Sequence, residues 1–128
     1  MSKDARSIAP TAADFVAAGT APIEAVSALE GAPETGGIGI RPVMVGANSM
    51  LMEVHRKKGL IDPEHSHDDH ESICYLVSGR MRVVIEGESF IAEPGDSWIH
   101  RAGVRHYHET LEDSVQLEVK SPPRKPWR

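Results

Sequence analysis

The sequence predicts an all-β domain, a sandwich or small barrel, preceded by a short alanine-rich arm. Two observations carry the fold class. Four segments alternate apolar and polar residues with the period of two that half-buried strands require: Ser49–His55, Ser72–Val77, Arg80–Glu86 and Ser114–Lys120. Turn residues punctuate the intervals, at Lys58-Gly59, Ser78-Gly79, Glu86-Gly87, Pro94-Gly95-Asp96 and Ala102-Gly103. Strands of six or seven residues at this spacing favour a sandwich or barrel over βαβ units.

A chain of 128 residues bounds the protein to one domain, and 40% apolar residues suffice for a core. With six aromatics, that core must be built from Val, Ile, Leu, Met and Ala. Lys and Arg number 14 against 19 Asp and Glu, a formal charge of −5, which argues against a nucleic acid partner. No stretch approaches the roughly 18 apolar residues of a membrane span. The single cysteine, Cys74, and an N-terminus without an apolar core segment fit a reduced, cytoplasmic protein.

The elements follow in order. Residues 1–36 form the arm. Thr11 and Asp14 resemble a capping box ahead of Phe15-Val16, and Pro22 to Gly31 could enclose a second turn, so short helices are expected there. The arm is expected to pack on the domain or on a second subunit. Residues 37–124 carry the strands. Residues 125–128 are expected to be a solvated basic tail, since Pro122, Pro123 and Pro126 cannot continue a central strand.

All seven histidines, His55, His65, His67, His70, His100, His106 and His108, fall in the second half of the chain. His65 and His67 are one residue apart, so on an extended backbone their imidazoles project to one side, as two ligands of one metal must. His106, after the Pro94-Gly95-Asp96 turn and a strand containing Trp98, could return to the same interior as a third. The other reading of such a pair is a solvated face, or a cluster serving pH-dependent charge.

Gly59, His65-x-His67, Gly79, Pro94-Gly95-Asp96 and His106 together resemble the two motifs of the cupins, over about residues 40–124. The resemblance implies a double-stranded β-helix, a jelly-roll barrel. It implies one divalent transition metal ion in the barrel mouth, with Zn, Ni, Mn, Fe and Cu all compatible with imidazole ligands. His65, His67 and His106 match the family's ligands. The fourth, a Glu or Gln, falls on Ser72 by the usual count from Gly79. Glu71, one residue earlier, is the nearest carboxylate and is taken as the fourth ligand, with His70 or water as substitutes. A one-residue shift reverses the face on a strand, so Glu71 and Ser72 cannot both point inward without a bulge. If Ser72 faces in, so do Cys74 and Leu76. Three histidines alone can also hold a metal.

His100 stands where cupins usually have an aliphatic residue, and it faces either the pocket or the rim. His108 shares the strand face of His106, and His55 is a strand-end surface residue.

The segment Glu112 to Arg124 resembles the close of the small cupins that linearise 4,5-unsaturated uronates from pectin and alginate. The resemblance implies catalytic roles for Glu118, as acid or base, and Arg124, as a grip on a substrate carboxylate. Lys120 replaces the aromatic found between them. Alternation with Val115, Leu117 and Val119 equally allows Glu118 to face solvent.

The expected function is therefore a metal-dependent isomerase or lyase acting on a small anionic, oxygen-rich acid. Alternatives are a mononuclear Fe(II) dioxygenase and a non-catalytic small-ligand-binding module. Small cupins are often dimers, and a homodimer is expected.

Overall fold

In the computed structural model, residues 6–34 and 36–128 are described, and every named element among them is a strand. Three short strands occupy the arm: β1 (Glu24–Ala25), β2 (Ala28–Leu29) and β3 (Ala32–Pro33). The barrel follows as β4 (Ile38–Val45), β5 (Met50–Arg56), β6 (Glu71–Ile85), β7 (Glu88–Ala92), β8 (Ser97–His100) and β9 (His106–Ser121).

One antiparallel sheet runs β1-β4-β5-β9-β6-β7, with β8 also on β6. The two long strands do most of the wrapping. The N-terminal half of β6, Ser72–Tyr75, pairs with β8, and its C-terminal half, Met81–Ile85, pairs with β7. Antiparallel to both halves lies β9, from Glu71↔Ser121 to Ile85↔His106. The expected strands Ser72–Val77 and Arg80–Glu86 are thus one strand that bends through register shifts between Leu76 and Met81. Gly79 sits in that bend at φ +92°, and a Cβ there would collide with the Asp113 carbonyl and Ser114. Only glycine meets both demands.

The helices expected in the arm do not form. Residues 7–34 run as extended chain, turns and the β2–β3 hairpin, and they lie against the barrel rather than coiling on themselves. Thr11 exchanges hydrogen bonds with Val45, and β1 adds to the edge of β4. Two short turns of helix would gain little alone, whereas a sheet edge supplies partners directly.

The tail is not solvated either. Trp127 is 2% exposed and joins a core of Val26, Leu29, Ile38, Ile40, Val45, Met50, Met52, Val54 and Leu60. Its indole N–H donates to Glu24 Oε1 at 3.1 Å, and the backbone of Arg128 exchanges hydrogen bonds with Ala28. Burying an indole outweighs the solubility of the flanking charges. A second apolar cluster, Leu76, Met81, Val83 and Ala92, fills the other end of the barrel.

Between the two clusters the interior is polar. Along β9 the inward residues are His106, His108, Thr110, Ser114, Gln116, Glu118 and Lys120, all buried. Val115, Leu117 and Val119 point outward, so this strand is inverted relative to ordinary patterning. Among the described residues no helix is long and apolar enough to cross a membrane.

Candidate metal centre

The loop between β5 and β6 positions the first ligands by pairing its backbone with β9. Gly59 N–H donates to Thr110, Asp62 N–H to His108, and His65 exchanges two bonds with His106 at 3.0 and 2.8 Å. This irregular strand closes the barrel and sets His65 beside His106. His67 follows two residues later on the same side, as the His-x-His spacing predicts.

His65, His67 and His106 are buried, and one ring nitrogen from each lies within 4.8 Å of the others. Each Nδ1 is already engaged. His65 Nδ1 lies 2.6 Å from the Pro63 carbonyl, His106 Nδ1 3.1 Å from that of Val104, and His67 Nδ1 2.8 Å from Glu30 Oε2. Donation from Nδ1–H fixes the tautomer and leaves Nε2 with a free lone pair on each ring. Burial holds all three rings below the usual imidazole range. For His106 the value falls to about 3, with His65 and His108 adding to the effect, and for His67 the charge of Lys120 adds to it. Three neutral imidazoles with free lone pairs are a donor set suited to a divalent transition ion.

Glu71 is not part of this set. It is exposed at the start of β6, while Ser72 is buried, so strand parity turns Glu71 away from the interior. Cys74 and Leu76 face inward with Ser72. His70 is buried and stacks on His67 at 4.4 Å, but both of its nitrogens are occupied, Nδ1 by Asp69 Oδ1 at 2.8 Å and Nε2 by Lys120 Nζ at 3.1 Å.

Lys120 fills the space near the fourth ligand position. Its ammonium contacts Glu118 Oε2 at 2.6 Å, Ser72 Oγ at 2.8 Å and His70 Nε2, which satisfies its three donors. Burial by itself would raise the Glu118 pKa, but the adjacent Lys120 overrides it and holds the carboxyl well below its usual range. Gln116 Nε2 donates to the other Glu118 oxygen at 2.9 Å. Glu118 thus faces the interior as an ionised carboxylate, not solvent.

Arg124 lies apart from the cavity-lining residues, its Nε 3.5 Å from Asp69 Oδ2. The guanidinium that does line the cavity belongs to Arg56. It donates to Asp62 Oδ2 at 2.7 Å and to Gln116 Oε1 at 3.1 Å. Burial would raise the Asp62 carboxyl, but Arg56 and His108 together hold it far below the ordinary range. His108 Nδ1 lies 3.0 Å from Asp62 Oδ2, and His108 Nε2 lies 3.1 Å from His100 Nε2, which accepts from the Trp98 indole. His100 lies flat on His106, with ring centroids 3.6 Å apart, and its Nδ1 is buried without a hydrogen-bond partner among the described residues. His55 sits at the surface beside Glu53.

Sequence reasoning missed Arg56, Asp62, Gln116 and Glu30. Parity along Met50-x-Met52-x-Val54-x-Arg56 could have found Arg56, and the parity of Glu118 could have found Gln116. Nothing local marks Glu30, which acts across 37 residues.

The cavity among these residues is small, about 30 Å³, enough for water, and Leu29, Pro126 and Trp127 are among the residues that close it in. A roomier groove of about 510 Å³ between β7 and β8 is lined by Phe90, Ile91 and Trp98 and holds no comparable cluster of ligands.

The cupin-domain family profile matches residues 52–119. The pectin degradation protein KdgF of Dickeya dadantii (strain 3937) is 40% identical over 76 residues, which span 59% of this chain and 69% of that protein. The structure of KdgF from Halomonas sp. superposes with a TM-score of 0.74 at 26% identity, covering 85% of this chain and 94% of its own. An RmlC-like cupin from Shewanella frigidimarina NCIMB 400 also gives 0.74, at 21% identity over 87% of this chain and 92% of its own, and shares the fold.

Proposed function

Since the chain belongs to the cupin family, as a relative of the pectin degradation protein KdgF, we propose that it is a metal-dependent isomerase that opens the ring of a small unsaturated uronate. One observation carries the reading: three neutral imidazoles converge beside a buried carboxylate and ammonium held 2.6 Å apart.

His65, His67 and His106 would hold one divalent transition ion, which would supply Lewis-acid stabilisation to substrate oxygens as they gain negative charge. The chain's own residues provide the proton traffic. Glu118 is ionised at rest and so is suited to act as a base, taking the proton of the anomeric hydroxyl as the ring bond breaks. Lys120, hydrogen-bonded to it, is the neighbouring acid able to return a proton to the enolate that this leaves. The net change is an isomerisation without a redox step. Arg56 is better placed than Arg124 to attract the substrate carboxylate, since it lines the cavity. A bound sugar acid would also give His100 Nδ1 its missing partner.

The assembly we propose is a homodimer. Ile73 and Val119 pair across β6 and β9 and are both exposed, with Tyr75 and Val77 continuing the same outer face, and a second copy would cover them. A cytoplasmic location fits the lone buried Cys74, whose thiol burial pushes well above its usual range.

The test is incubation of metal-loaded protein with a 4,5-unsaturated uronate, followed by NMR and by the ultraviolet absorbance of the conjugated double bond. Accelerated loss of that absorbance with appearance of the linear keto-aldehyde is expected. Binding without any chemical change refutes the enzyme reading. Oxygen consumption dependent on Fe(II) would assign a dioxygenase instead.

A further inference from the structure

The three ligand histidines differ in how their Nδ1 protons are held. His65 and His106 each use the backbone carbonyl two residues earlier, Pro63 and Val104. Any barrel with this local loop supplies those acceptors. His67 instead relies on the side chain of Glu30, in the N-terminal arm and outside the residues that match the cupin family.

Glu30 is placed for this by an unusual turn. It and Gly31 link β2 to β3, and both have positive φ, +47° and +80°. Asn-Gly ordinarily occupies such a two-residue turn, because a left-handed backbone strains longer side chains. Its backbone N–H donates to the Pro126 carbonyl at 2.8 Å, and Leu29 bridges to Trp127. The hairpin and the C-terminal tail therefore form one clasp over the barrel mouth.

The carboxylate is held on its other side by Arg6. Arg6 Nη1 and Nη2 grip the two oxygens of Glu30 at 2.5 and 2.8 Å. Through Nε and Nη2 the same guanidinium reaches Asp69 at 2.8 and 3.1 Å, and Asp69 in turn accepts from His70 Nδ1. Two carboxylates thus each receive a buried histidine N–H while one arginine fixes both. A carboxylate partner makes a ligating imidazole more basic and locks its ring orientation.

We propose that Glu30 is a positioning residue for the metal ligand His67, through which the clasp over the mouth is coupled to metal affinity. The inference rests on His65, His67 and His106 forming a metal site. Loosening the clasp releases Glu30 from His67, so the metal is held most firmly when the mouth is covered.

The experiment measures Co²⁺ affinity by competition with a chromophoric chelator, together with the visible spectrum of bound Co²⁺. It uses the full chain as wild type, Glu30→Gln, Glu30→Ala, His67→Ala and the double variants Glu30→Ala/His67→Ala and Glu30→Gln/His67→Ala. Glu30→Ala is expected to weaken binding about 10- to 100-fold and to shift the Co²⁺ bands. Glu30→Gln, which keeps an acceptor oxygen without the charge, is expected to fall between it and wild type. In the His67→Ala background, removing Glu30 should change affinity by less than twofold, whereas a merely structural role would lower it as much as in wild type. Unchanged affinity in both Glu30 variants, or an equal loss with and without His67, overturns the proposal. Should Glu30→Ala not fold, Glu30→Gln in the two backgrounds decides it. Absence of Co²⁺ binding by the wild type would instead refute the metal centre itself.

Discussion

The Lys120 ammonium lies 2.6 Å from Oε2 of Glu118, with both side chains buried against the barrel interior. An ion pair out of water is stable only while both partners are present, since removing one leaves an uncompensated charge. Lys120→Met is therefore expected to cost about 3–5 kcal/mol of stability. Lys120→Met/Glu118→Gln should recover most of it, because no buried charge is left alone. Denaturant unfolding of the three proteins measures this, and a double variant as unstable as the single one would contradict it.

The metal centre makes a separate prediction. A ligand that binds only the folded protein stabilises it by about 4 kcal/mol at a thousandfold excess over its Kd. Addition of a divalent transition ion should raise the Tm of the wild type, and a chelator should reverse the rise. His106→Ala, which removes one of the three converging imidazoles, should show at most a small part of the effect. An equal rise in that variant would place the ion elsewhere.

Acid should unfold the metal-free protein earlier than its carboxylates alone would dictate. Burial lowers His70 to about 4 and His106 to about 3, with Lys120 adding to the first and His65 to the second. The same rings titrate near 6.5 in the unfolded chain. Between those limits the unfolded state binds protons that the folded state refuses. Stability is thus fully present above about pH 6.5 and falls as pH drops toward 4, by up to ~1.4 kcal/mol per pH unit for each such histidine. Urea midpoints at pH 7.5, 6 and 5 in chelator report the slope, and a flat profile would show that the rings are charged in the fold.

Gly79→Ala should be among the most damaging single-methyl additions in the chain. The residue has φ +92°, and the new Cβ would meet backbone as well as the Ser114 hydroxyl. A loss of more than about 2 kcal/mol is expected from strain and clash combined. Gly87→Ala, at φ +78° with open space around it, should carry only the conformational part. Thermal unfolding of the pair separates the two contributions.

Trp127→Ala tests the cover over the mouth. The indole is 2% exposed and packs among Leu29, Ile38 and Ile40, so its loss should cost about 3–5 kcal/mol. The same change enlarges the space beside the histidines, so a dye too bulky to enter the wild type should gain access, measured by equilibrium dialysis. Unaltered stability would mean the tail is not docked in solution.

Much of the site was legible because its logic is local. The His-x-His spacing, the parity of His106 and His108, and the inward run from Ser72 to Leu76 all follow from the two-residue repeat of a strand. The same rule excluded Glu71 once Ser72 was seen to face inward. Glu118 was harder, because polar residues alternating with valine and leucine ordinarily face water, and nothing in Ser114–Lys120 announces an inverted strand. The arm packs on the domain as expected, but its helices do not form and the tail is not solvated, for a related reason. Helix signals at Thr11 and Asp14 are weak preferences that a nearby sheet edge overrides, and a basic, proline-rich end reads as solvated until a hydrophobic cavity is found to take its tryptophan.

By itself, then, the sequence determined the strand periodicity, the turn positions and the His65-x-His67 pair, each set by residues within a few positions of one another, while the distant His106 was joined to that pair by the family's second motif. The tertiary structure alone decided that Trp127 enters the core, which way β9 faces, and that Glu30 meets His67 across 37 residues. Those are contacts between distant segments. They depend on how the barrel closes and on which groups can be buried together with their charges paired, and no local pattern encodes that.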